Sequence, residues 1–380
     1  MKHWLIQFFY HGIYFSLVKW FTRMDSNSYF FNAWDGKHFS DNPRAIFEAL
    51  VQEKPQARYY ILLEDLTEAA QMQADYPNQQ LIFVSRHSRQ YFLALAKSKY
   101  WIVNVNMPYR LRQHHNGVFL QAWHGTPLKH IANDMPADNT YRDETAKEPE
   151  NWTYFLSNAP ADNWIYAQAF GLGAGQLVAE GLPRNDVLVT HRDDKPYQTA
   201  LRQKLGLTPD QPVWLYAPTF RDDEAKFQLQ LDLDAFTQTF PDTILLLRLH
   251  PHVADKVPDL SAWPHVQNVS QYPDIRDLYL ISDQLITDYS SVFFDYALLN
   301  RPMVFYAYDL AKYGDQLRGF YYDYPTFVPG PVVENQTDLF AALQQAPTDQ
   351  SAFAQAHNAN YVHPVSAQIV SELLVEKPHA

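Results

Sequence analysis

Five loops in this sequence carry residue types that can bind phosphate and move a proton, and each follows an apolar run typical of a strand. The loops are Trp123 to Lys129, Glu180 to Asp186, Pro218 to Arg221, His250 to His252, and Asp288 to Ser291. Imidazole, guanidinium and hydroxyl groups bind phosphate oxygens or exchange protons near neutral pH. Charged side chains in these loops, Lys129, Arg221 and Asp288 among them, are therefore candidates for substrate contacts.

The last of these loops leads into a predicted helix. Apolar residues recur at helical spacing from Val292 to Leu299, directly after Ser290 and Ser291. The first turn of a helix leaves backbone N–H groups unpaired and carries the positive end of the helix dipole, so it suits a phosphate. The two serines can cap the helix or donate to an anion, and this stretch alone favours capping.

Each candidate also has a purely structural interpretation. His124 before a glycine fits a hydrogen-bonded turn, and His250 before a proline fits the cap of a strand. Arg184 and Arg248 fit ion pairs. One residue at a time, the structural interpretation is favoured, but five such loops at strand ends together favour a functional site in a cleft.

The sequence indicates no metal site and no bound cofactor. Cysteine is absent, His114 and His115 are adjacent rather than one helical turn apart, and neither a P-loop nor a GxGxxG motif occurs. Basic side chains and a helix dipole can supply the positive charge that an anionic substrate needs. We therefore expect chemistry that requires no divalent metal.

Composition restricts the class of protein. The 380 residues are 47% hydrophobic and 15% aromatic, which is enough to pack two domains of comparable size. The formal net charge of −12 argues against nucleic-acid binding, which usually needs a positive surface. The absence of cysteine excludes disulfides and fits a reducing compartment.

Strands and helices alternate from about Phe30, which predicts parallel sheets covered by helices on both faces. Predicted strands lie at 58–63, 81–84, 100–105, 118–122, 154–156 and 177–179, and, in a second series, at 213–217, 243–249, 285–287 and 303–306. The polar interval 190–196 separates the two series. We therefore predict doubly wound α/β domains over 25–192 and 193–380, with a last helix at 365–376 that could pack back across the domain junction.

The segment from Met1 to Met24 is unusually aromatic, with basic residues near both ends. It lacks a small-residue cleavage site, so it does not resemble a signal peptide. Gln7, His11 and Lys19 do not share one face of a helical wheel, which predicts neither a clean spanning helix nor a clean amphipathic one. A helix packed on the protein is the alternative to a membrane-surface anchor, and the aromatic and cationic mixture favours the anchor.

At the loops described above, the sequence resembles the CDP-glycerol glycerophosphotransferases. This family builds the poly(glycerol phosphate) or poly(ribitol phosphate) chains of teichoic acids in Gram-positive bacteria. The resemblance lies in six segments in the family's order: Gly36–Pro43, Gln121–Lys129, Gly181–Asp186, Tyr216–Arg221, Arg248–Pro251 and Thr287–Asp295. It implies a GT-B fold, in which two Rossmann-like domains face a cleft and the C-terminal domain holds the nucleotide donor.

The resemblance also implies roles for individual residues. It makes His124 and His250 the essential histidines. It places donor contacts at Gly125, Thr126, Pro127, Leu128, Arg184, Pro218, Thr219, Arg248, Leu249, Ser290, Ser291 and Asp295. The implied reaction is in-line attack by a hydroxyl of a prenyl-diphosphate-linked glycerol phosphate acceptor on the β-phosphorus of CDP-glycerol, with His124 as general base and CMP as leaving group.

Three alternatives stay open on the sequence. They are ribitol phosphate transfer from CDP-ribitol, a nucleotide-sugar glycosyltransferase on the same fold, and a non-catalytic protein that binds teichoic acid. No motif distinguishes a primase, which adds one unit, from a polymerase, which adds many. The resemblance implies a peripheral protein on the cytoplasmic face of the membrane.

Overall fold

The computed structural model describes residues 6–135, 142, 145–221, 229–250, 253, 256–257, 259–312, 319–345 and 348–376. The chain divides into two compact units. The first combines Met1–His124, Ile131–Asp186 and Val362–Ala380, and the second combines Gly125–His130 and Val187–Tyr361. The long second segment thus starts a few residues before the predicted boundary at 192, and residues 362–380, predicted with the second domain, group with the first unit.

A sheet of seven parallel strands forms the centre of the first unit. The strands are β1 (Asp25–Asn32), β2 (Arg58–Leu62), β3 (Gln80–Val84), β4 (Ser98–Val103), β5 (Val118–Gln121), β6 (Tyr154–Leu156) and β7 (Leu177–Val178). Their order is β3-β2-β1-β4-β5-β6-β7, so the direction of winding reverses between β1 and β4. Ligands of such sheets bind at the carboxyl ends of the strands beside this reversal.

The second unit contains a sheet of six parallel strands. The strands are β8 (Val213–Ala217), β9 (Ile244–Leu247), β10 (Val266–Asn268), β11 (Gln284–Thr287), β12 (Met303–Tyr306) and β13 (Val332–Val333). Their order is β10-β9-β8-β11-β12-β13, which places the reversal between β8 and β11. The loops after these two strands contain Pro218, Thr219 and the Asp288–Ser291 segment.

Helices cover both faces of each sheet. They are α1 (Phe15–Trp20), α2 (Asp41–Glu53), α3 (Leu66–Asp75), α4 (Arg89–Lys97), α5 (Asn163–Phe170), α6 (Asp186–His191), α7 (Lys195–Lys204), α8 (Leu233–Thr239), α9 (Ile275–Ile281), α10 (Val292–Tyr296), α11 (Leu310–Lys312), α12 (Tyr324–Phe327), α13 (Gln336–Leu343), α14 (Ser351–His357) and α15 (Ser366–Leu373). Side chains of successive strand residues point to opposite faces of the sheet and so enter different hydrophobic cores, as those of Phe30 and Phe31 do in β1. Leu285 and Ile286 do the same in β11.

The predicted α/β class with parallel sheets is confirmed, whereas three strands were missed. β1 begins with the polar residues Asp25 to Ser28, so only its second half has the apolar pattern of a buried strand. β10 and β13 are three and two residues long, too short for any periodicity. The missed β1 is the strand beside which the first sheet reverses its winding.

The C-terminal helix α15 belongs to the first unit. It packs on α2, and Ile369 and Val370 enter the same core cluster as Phe47. Asp186 fixes its start, because the carboxylate accepts hydrogen bonds from the backbone N–H of Val365 and Ser366, each at 2.8 Å. The chain thus returns after the second sheet to complete the core of the first.

The N-terminal segment is helical and two-sided. A π-helix over Ile6–Tyr14 continues as α1, and the first five residues lie outside the described part of the chain. His11 and Phe15 are buried, with ring centroids 6.3 and 6.2 Å from that of Phe92. The opposite side exposes Phe9, Tyr10, Ile13, Leu17, Trp20 and Phe21.

The prediction that this segment has no clean amphipathic face was therefore wrong. His11 lies within the protein-facing side, and the Lys19 amine donates a hydrogen bond to the carbonyl of Arg112 at 3.0 Å. His11 and Lys19 therefore do not interrupt the outer apolar side. Ser16 is exposed beside that side, and the side chain of Gln7 lies outside the described residues. Among the described helices, none is long and apolar enough to cross a membrane.

Candidate active site

His124 follows β5 and lies at the carboxyl edge of the first sheet. Its Nδ1 is 2.6 Å from the carbonyl oxygen of Asn104, the residue after β4. Because a carbonyl only accepts, Nδ1 carries the proton and Nε2 is the basic nitrogen of the neutral ring. The imidazole also stacks on Trp123 at 4.3 Å between centroids and lies 5.4 Å from the ring of Trp34.

These surroundings keep His124 neutral. Burial lowers the pKa of its imidazole, opposed by the Asn104 carbonyl and by Asp41, while the Arg184 cation lowers it further. A pKa lowered from the ordinary histidine value near 6.5 favours the uncharged ring at pH 7. An oriented neutral imidazole with an unprotonated Nε2 can act as a general base.

The residues around His124 come from the two strands at which the sheet reverses its winding. Trp34 follows β1, and its backbone N–H donates to the Asn104 side-chain oxygen at 3.0 Å. Trp34, Asp35 and Trp123 have φ values of 49°, 57° and 49°, in the left-handed region that disfavours side chains. Such conformations cost about 1–3 kcal/mol each and concentrate at functional sites.

Arg184 lies in the same unit and is 7% exposed. Its Nη1 is 3.2 Å from the Asp41 carboxylate and donates to the carbonyl oxygen of His124 at 2.6 Å. The structure therefore brings two sequence-predicted residues, His124 and Arg184, into direct contact. Asp41 and Asn42, at the start of α2, complete this cluster.

The segment Gly125–Lys129, predicted to contact the donor, is anchored within the second unit. Leu128 is buried in that unit's core, and its carbonyl accepts from the backbone N–H of Tyr321 at 3.0 Å. Lys129 pairs with Phe320 as an antiparallel bridge. Gly125, Thr126 and Pro127 are also buried. The side chain of Leu128 serves packing, because it lies in the hydrophobic core.

Arg221 and Asp288 form a buried ionic cluster in the second unit. Arg221 Nη1 lies 2.9 Å from Asp288, while Nε and Nη2 form a bidentate pair with Asp309 at 2.8 and 3.0 Å. Asp288 also accepts from the backbone N–H of Thr219 at 2.8 Å. Arg221 and Asp288 are only 4% and 1% exposed at the side chain. Both buried side chains therefore hold the loop after β8 through the backbone of Thr219.

Arg248 forms hydrogen bonds with the backbone of a neighbouring loop. Its Nη1 donates to the carbonyls of Val269, Ser270 and Tyr272 at 2.9, 2.8 and 2.6 Å, which fixes the loop after β10. The next residue, Leu249, is buried and donates its backbone N–H to the Ser270 hydroxyl at 2.9 Å. This arrangement sets the position at which His250 leaves the sheet.

One pocket of the second unit gathers five predicted residues. Its lining includes Pro218, Thr219, Arg221, Leu249 and His250. The other lining residues are mostly apolar or aromatic: Tyr216, Phe220, Leu229, Val253 and Tyr308. Two further polar side chains, Gln230 and Lys256, complete the lining. His250 is exposed, and its ring stacks on Phe220 at 5.2 Å. Pro251 and His252 lie outside the described residues.

Ser290 and Ser291 precede α10, which has only five residues. Ser291 is the N-cap residue but has helical φ and ψ values of −67° and −2°, and its side chain makes no capping hydrogen bond. The side chain of Ser291 therefore does not cap α10, and its role as a donor contact stays a prediction. Both serines are half-buried, and their hydroxyls have no hydrogen-bond partner among the described residues. Asp295, in the same helix, is buried.

Within the described residues, no group of three or more histidine, aspartate or glutamate side chains is arranged to hold a metal ion. The expectation of metal-independent chemistry therefore stays a prediction about the reaction.

Comparison with known proteins identifies the family. Residues 14–363 match the model of the CDP-glycerol:poly(glycerophosphate) glycerophosphotransferases. The chain is 38% identical over 365 residues to the teichoic acid glycerol-phosphate transferase of Staphylococcus aureus, with 92% of each chain covered. The chain belongs to this family of enzymes. The resemblance seen in the sequence is thereby confirmed.

Two polymerases are also similar to this glycerophosphotransferase-family chain. The poly(glycerol phosphate) polymerase of Bacillus subtilis is 38% identical over 331 residues, covering 83% of this chain and 43% of that protein. A solved structure of the wall teichoic acid polymerase TagF, a histidine-to-asparagine variant soaked with CDPG, superposes with a TM-score of 0.81 at 32% identity. That match covers 95% of this chain and 91% of the other.

Sequence reasoning missed the residues that hold His124. Asn104 and Trp34 were not candidates, because neither lies in a loop that combines histidine, arginine and hydroxyl groups. Asn104 directly follows the end of β4, so its place at a strand end was a usable signal. Asp41 lies in the family segment Gly36–Pro43, but no role was predicted for it. Aspartate tolerates the left-handed backbone found at Asp41, whereas the residue type of Trp34 gives no such signal.

Proposed function

We propose that this enzyme transfers glycerol phosphate from CDP-glycerol to a terminal hydroxyl of a lipid-linked teichoic-acid-type acceptor and releases CMP. The observation that carries the proposal is the oriented, neutral imidazole of His124 in a member of the glycerophosphotransferase family. Its Nδ1–H is committed to Asn104, so Nε2 is available to take the proton of an attacking hydroxyl.

The reaction balances as a single in-line displacement. The acceptor oxygen attacks the β-phosphorus of CDP-glycerol and gives its proton to His124 Nε2. The bond from that phosphorus to the bridging oxygen breaks, and CMP leaves with the electron pair. Such a step depends mainly on positioning and on stabilisation of charge.

The donor is proposed to bind the second unit. The hydroxyls of Ser290 and Ser291 can donate to the pyrophosphate, and His250 can stabilise charge on the departing CMP. The pocket beside Pro218 and Thr219 is mostly apolar and aromatic, which suits the flat cytosine base. Together with the reversal point between β8 and β11, these features support a donor site on this sheet.

We further propose that the two units are the domains of a GT-B fold facing a cleft, with no cofactor required. Two doubly wound parallel sheets support the first part, and the second part is a prediction to be tested on the reaction itself. Transfer that persists in excess EDTA would support metal independence, and loss of transfer restored by Mg²⁺ would reject it.

Glycerol is the polyol that we propose. Four relatives, at 35–38% identity, are named for glycerol phosphate. Those named for ribitol phosphate are 28–32% identical. Calorimetry of the purified chain with CDP-glycerol, CDP-ribitol and a UDP-sugar tests this directly. Preferred binding of CDP-ribitol or of the UDP-sugar would replace the proposal with the corresponding alternative.

Product mass on a defined prenyl-linked glycerol phosphate acceptor tests the transfer itself. A mass increase of one or more glycerol phosphate units, with matching CMP release, supports an enzyme and counts the additions for each acceptor. This count separates a primase from a polymerase. Polymer binding without any CMP release would support the non-catalytic alternative instead.

The exposed side of the N-terminal helix is proposed to bind the inner-leaflet membrane surface, which places the enzyme on the cytoplasmic face. Trp20 and Phe21 are both 84% exposed and lie beside the exposed Leu17. Tryptophan concentrates at the membrane interface because its large apolar ring system carries one polar N–H group, and the ring of Phe21 adds apolar surface that can enter the bilayer. Burial of His11 and Phe15 on the other side holds the helix on the protein.

Vesicle flotation tests this membrane surface. A Trp20→Ser/Phe21→Ser variant should float less with anionic phospholipid vesicles than the wild type. Trp164→Ser is the matched control, because Trp164 is an exposed aromatic residue on α5 and lies outside this surface. Equal flotation of the wild type and the double variant would reject the anchor.

A further inference from the structure

The side chain of Arg184 is directed to the backbone beside His124. Besides its ion pair with Asp41, its Nη1 donates to the carbonyl oxygen of His124 at 2.6 Å. Its own backbone N–H donates to the Asn42 side-chain oxygen at 3.0 Å. The family resemblance implies a donor contact for Arg184, whereas the buried geometry links it to the loop of the base.

Asn42 holds the two residues before His124. Its side-chain nitrogen donates to the carbonyl oxygen of Ala122 at 2.7 Å and to that of Trp123 at 3.1 Å. With the Arg184 contact, three successive carbonyls from Ala122 to His124 are fixed by side chains. The orientation of the peptide planes on both sides of Trp123 is thereby set.

Asp41 has a strained backbone that makes this arrangement possible. Its φ of 63° is unusual for a residue with a side chain, and it lies in the first turn of α2. The side chain is 8% exposed, and its carboxylate accepts from the backbone N–H of Asn42 at 2.6 Å as well as from Arg184. Strain of this kind persists where surrounding contacts hold it, and it concentrates at functional sites.

We propose that Asp41, Asn42 and Arg184 are positioning residues that hold the backbone of His124 and so aim its imidazole at the acceptor hydroxyl. None of the three needs to touch the donor for this role. The role of the imidazole in transfer rests on the proposed function, whereas the holding of the loop does not. A displacement of a catalytic group by about 1 Å can lower the rate by about 10²-fold.

Two charges of the cluster act on His124 in opposite directions. Asp41 raises the pKa of its imidazole and Arg184 lowers it. Asp41→Asn should therefore lower the His124 pKa, and Arg184→Gln should raise it. The double variant removes both charges and should return the pKa toward that of the wild type.

Histidine titration by NMR tests the proposal without any need for transfer activity. Full-length protein carrying ¹⁵N-labelled histidine is titrated, and the His124 signals are assigned by their loss in His124→Gln. The expected results are an Nδ1–H tautomer in the wild type and opposite pKa shifts in the two single variants. Arg44→Gln/Glu48→Gln is the control, because this ion pair in the same helix has no contact with residues 122–124.

Donor affinity and turnover complete the test. Asp41→Asn and Arg184→Gln should bind CDP-glycerol with unchanged Kd and lose about 10²-fold in kcat. Arg184→Lys, which keeps the charge and most of the volume, should recover part of that loss and covers the case in which Arg184→Gln does not fold. A Kd raised tenfold or more with an unmoved His124 titration would make Arg184 a donor contact and overturn the proposal. If the wild type shows the predicted titration but no transfer, only the proposed function fails.

Discussion

As the proposed general base, His124 would react only as the neutral imidazole, so its pKa would determine how the rate responds to acid. Burial depresses that pKa below the ordinary value near 6.5. The rate constant kcat/KM should therefore stay constant as pH falls to about 6.5 and decline only below it, as Nε2 becomes protonated. Steady-state kinetics from pH 5 to 8, with donor Kd measured at each pH, check this. A decline centred above pH 6.5 at constant Kd would contradict the assignment of the base.

Arg221 illustrates how a predicted substrate ligand can instead be structural. Replacing it with Gln leaves Asp288 and Asp309 buried without their cation, and breaking a buried pair costs about 3–5 kcal/mol. Arg58→Gln is the matched control, because that arginine pairs with Asp25 at the surface and should lose under about 1 kcal/mol. Urea unfolding of both variants measures the difference. Equal losses would show that the Arg221 cluster is not the stabilising contact inferred here.

The strand-end loops were predictable because each follows an apolar run that only a buried strand explains, as at Val213–Ala217. Contacts between distant segments were not predictable. Arg221 meets Asp309, and Arg184 meets Asp41, across long separations that leave no local pattern. The predicted helical run is helical throughout, because a 3-10 turn over Ala297–Leu299 continues α10. The helical backbone of Ser291 itself was not predictable from its residue type. The end of α5 does have a local signal, because Gly171 follows it with a left-handed φ of 68°, a conformation that glycine adopts readily.

The loop after β4 depends on a buried acid, Glu148. Its Oε1 accepts from the backbone N–H of Met107 at 2.8 Å and from the Trp152 indole at 3.2 Å. Burial raises the pKa of Glu148 to about 8. Between its unfolded value near pH 4.5 and pH 8, the folded protein retains a proton that the unfolded chain has lost. Stability contributed by this group therefore falls as pH rises through that window.

Glu148→Gln removes this titration while keeping the size of the side chain. The free energy of unfolding of the variant, relative to the wild type, should rise from pH 5 to pH 8 by up to about 1.4 kcal/mol per pH unit. Urea unfolding at each pH measures the difference. A difference that does not change with pH would mean that Glu148 titrates normally.

The last described helix, α15, packs into the core of the first unit, although the second unit precedes it in the sequence. Ile369 of α15 is buried in that core, so Ile369→Ala should lower stability by about 2–5 kcal/mol. Ser371→Ala, on the exposed side of the same helix, should change it by less than about 0.5 kcal/mol. Thermal unfolding followed by circular dichroism distinguishes the two. Similar melting of the two variants would separate α15 from the core.

The most direct test of the proposed chemistry is CMP release from CDP-glycerol in the presence of a prenyl-linked glycerol phosphate acceptor. His124→Ala should reduce the rate by about 10²–10⁴-fold, the usual contribution of a general base, with donor Kd unchanged. His363→Ala is the control, because this exposed histidine lies outside both candidate sites and should leave the rate at the wild-type value. Near-normal CMP release by His124→Ala would contradict the account.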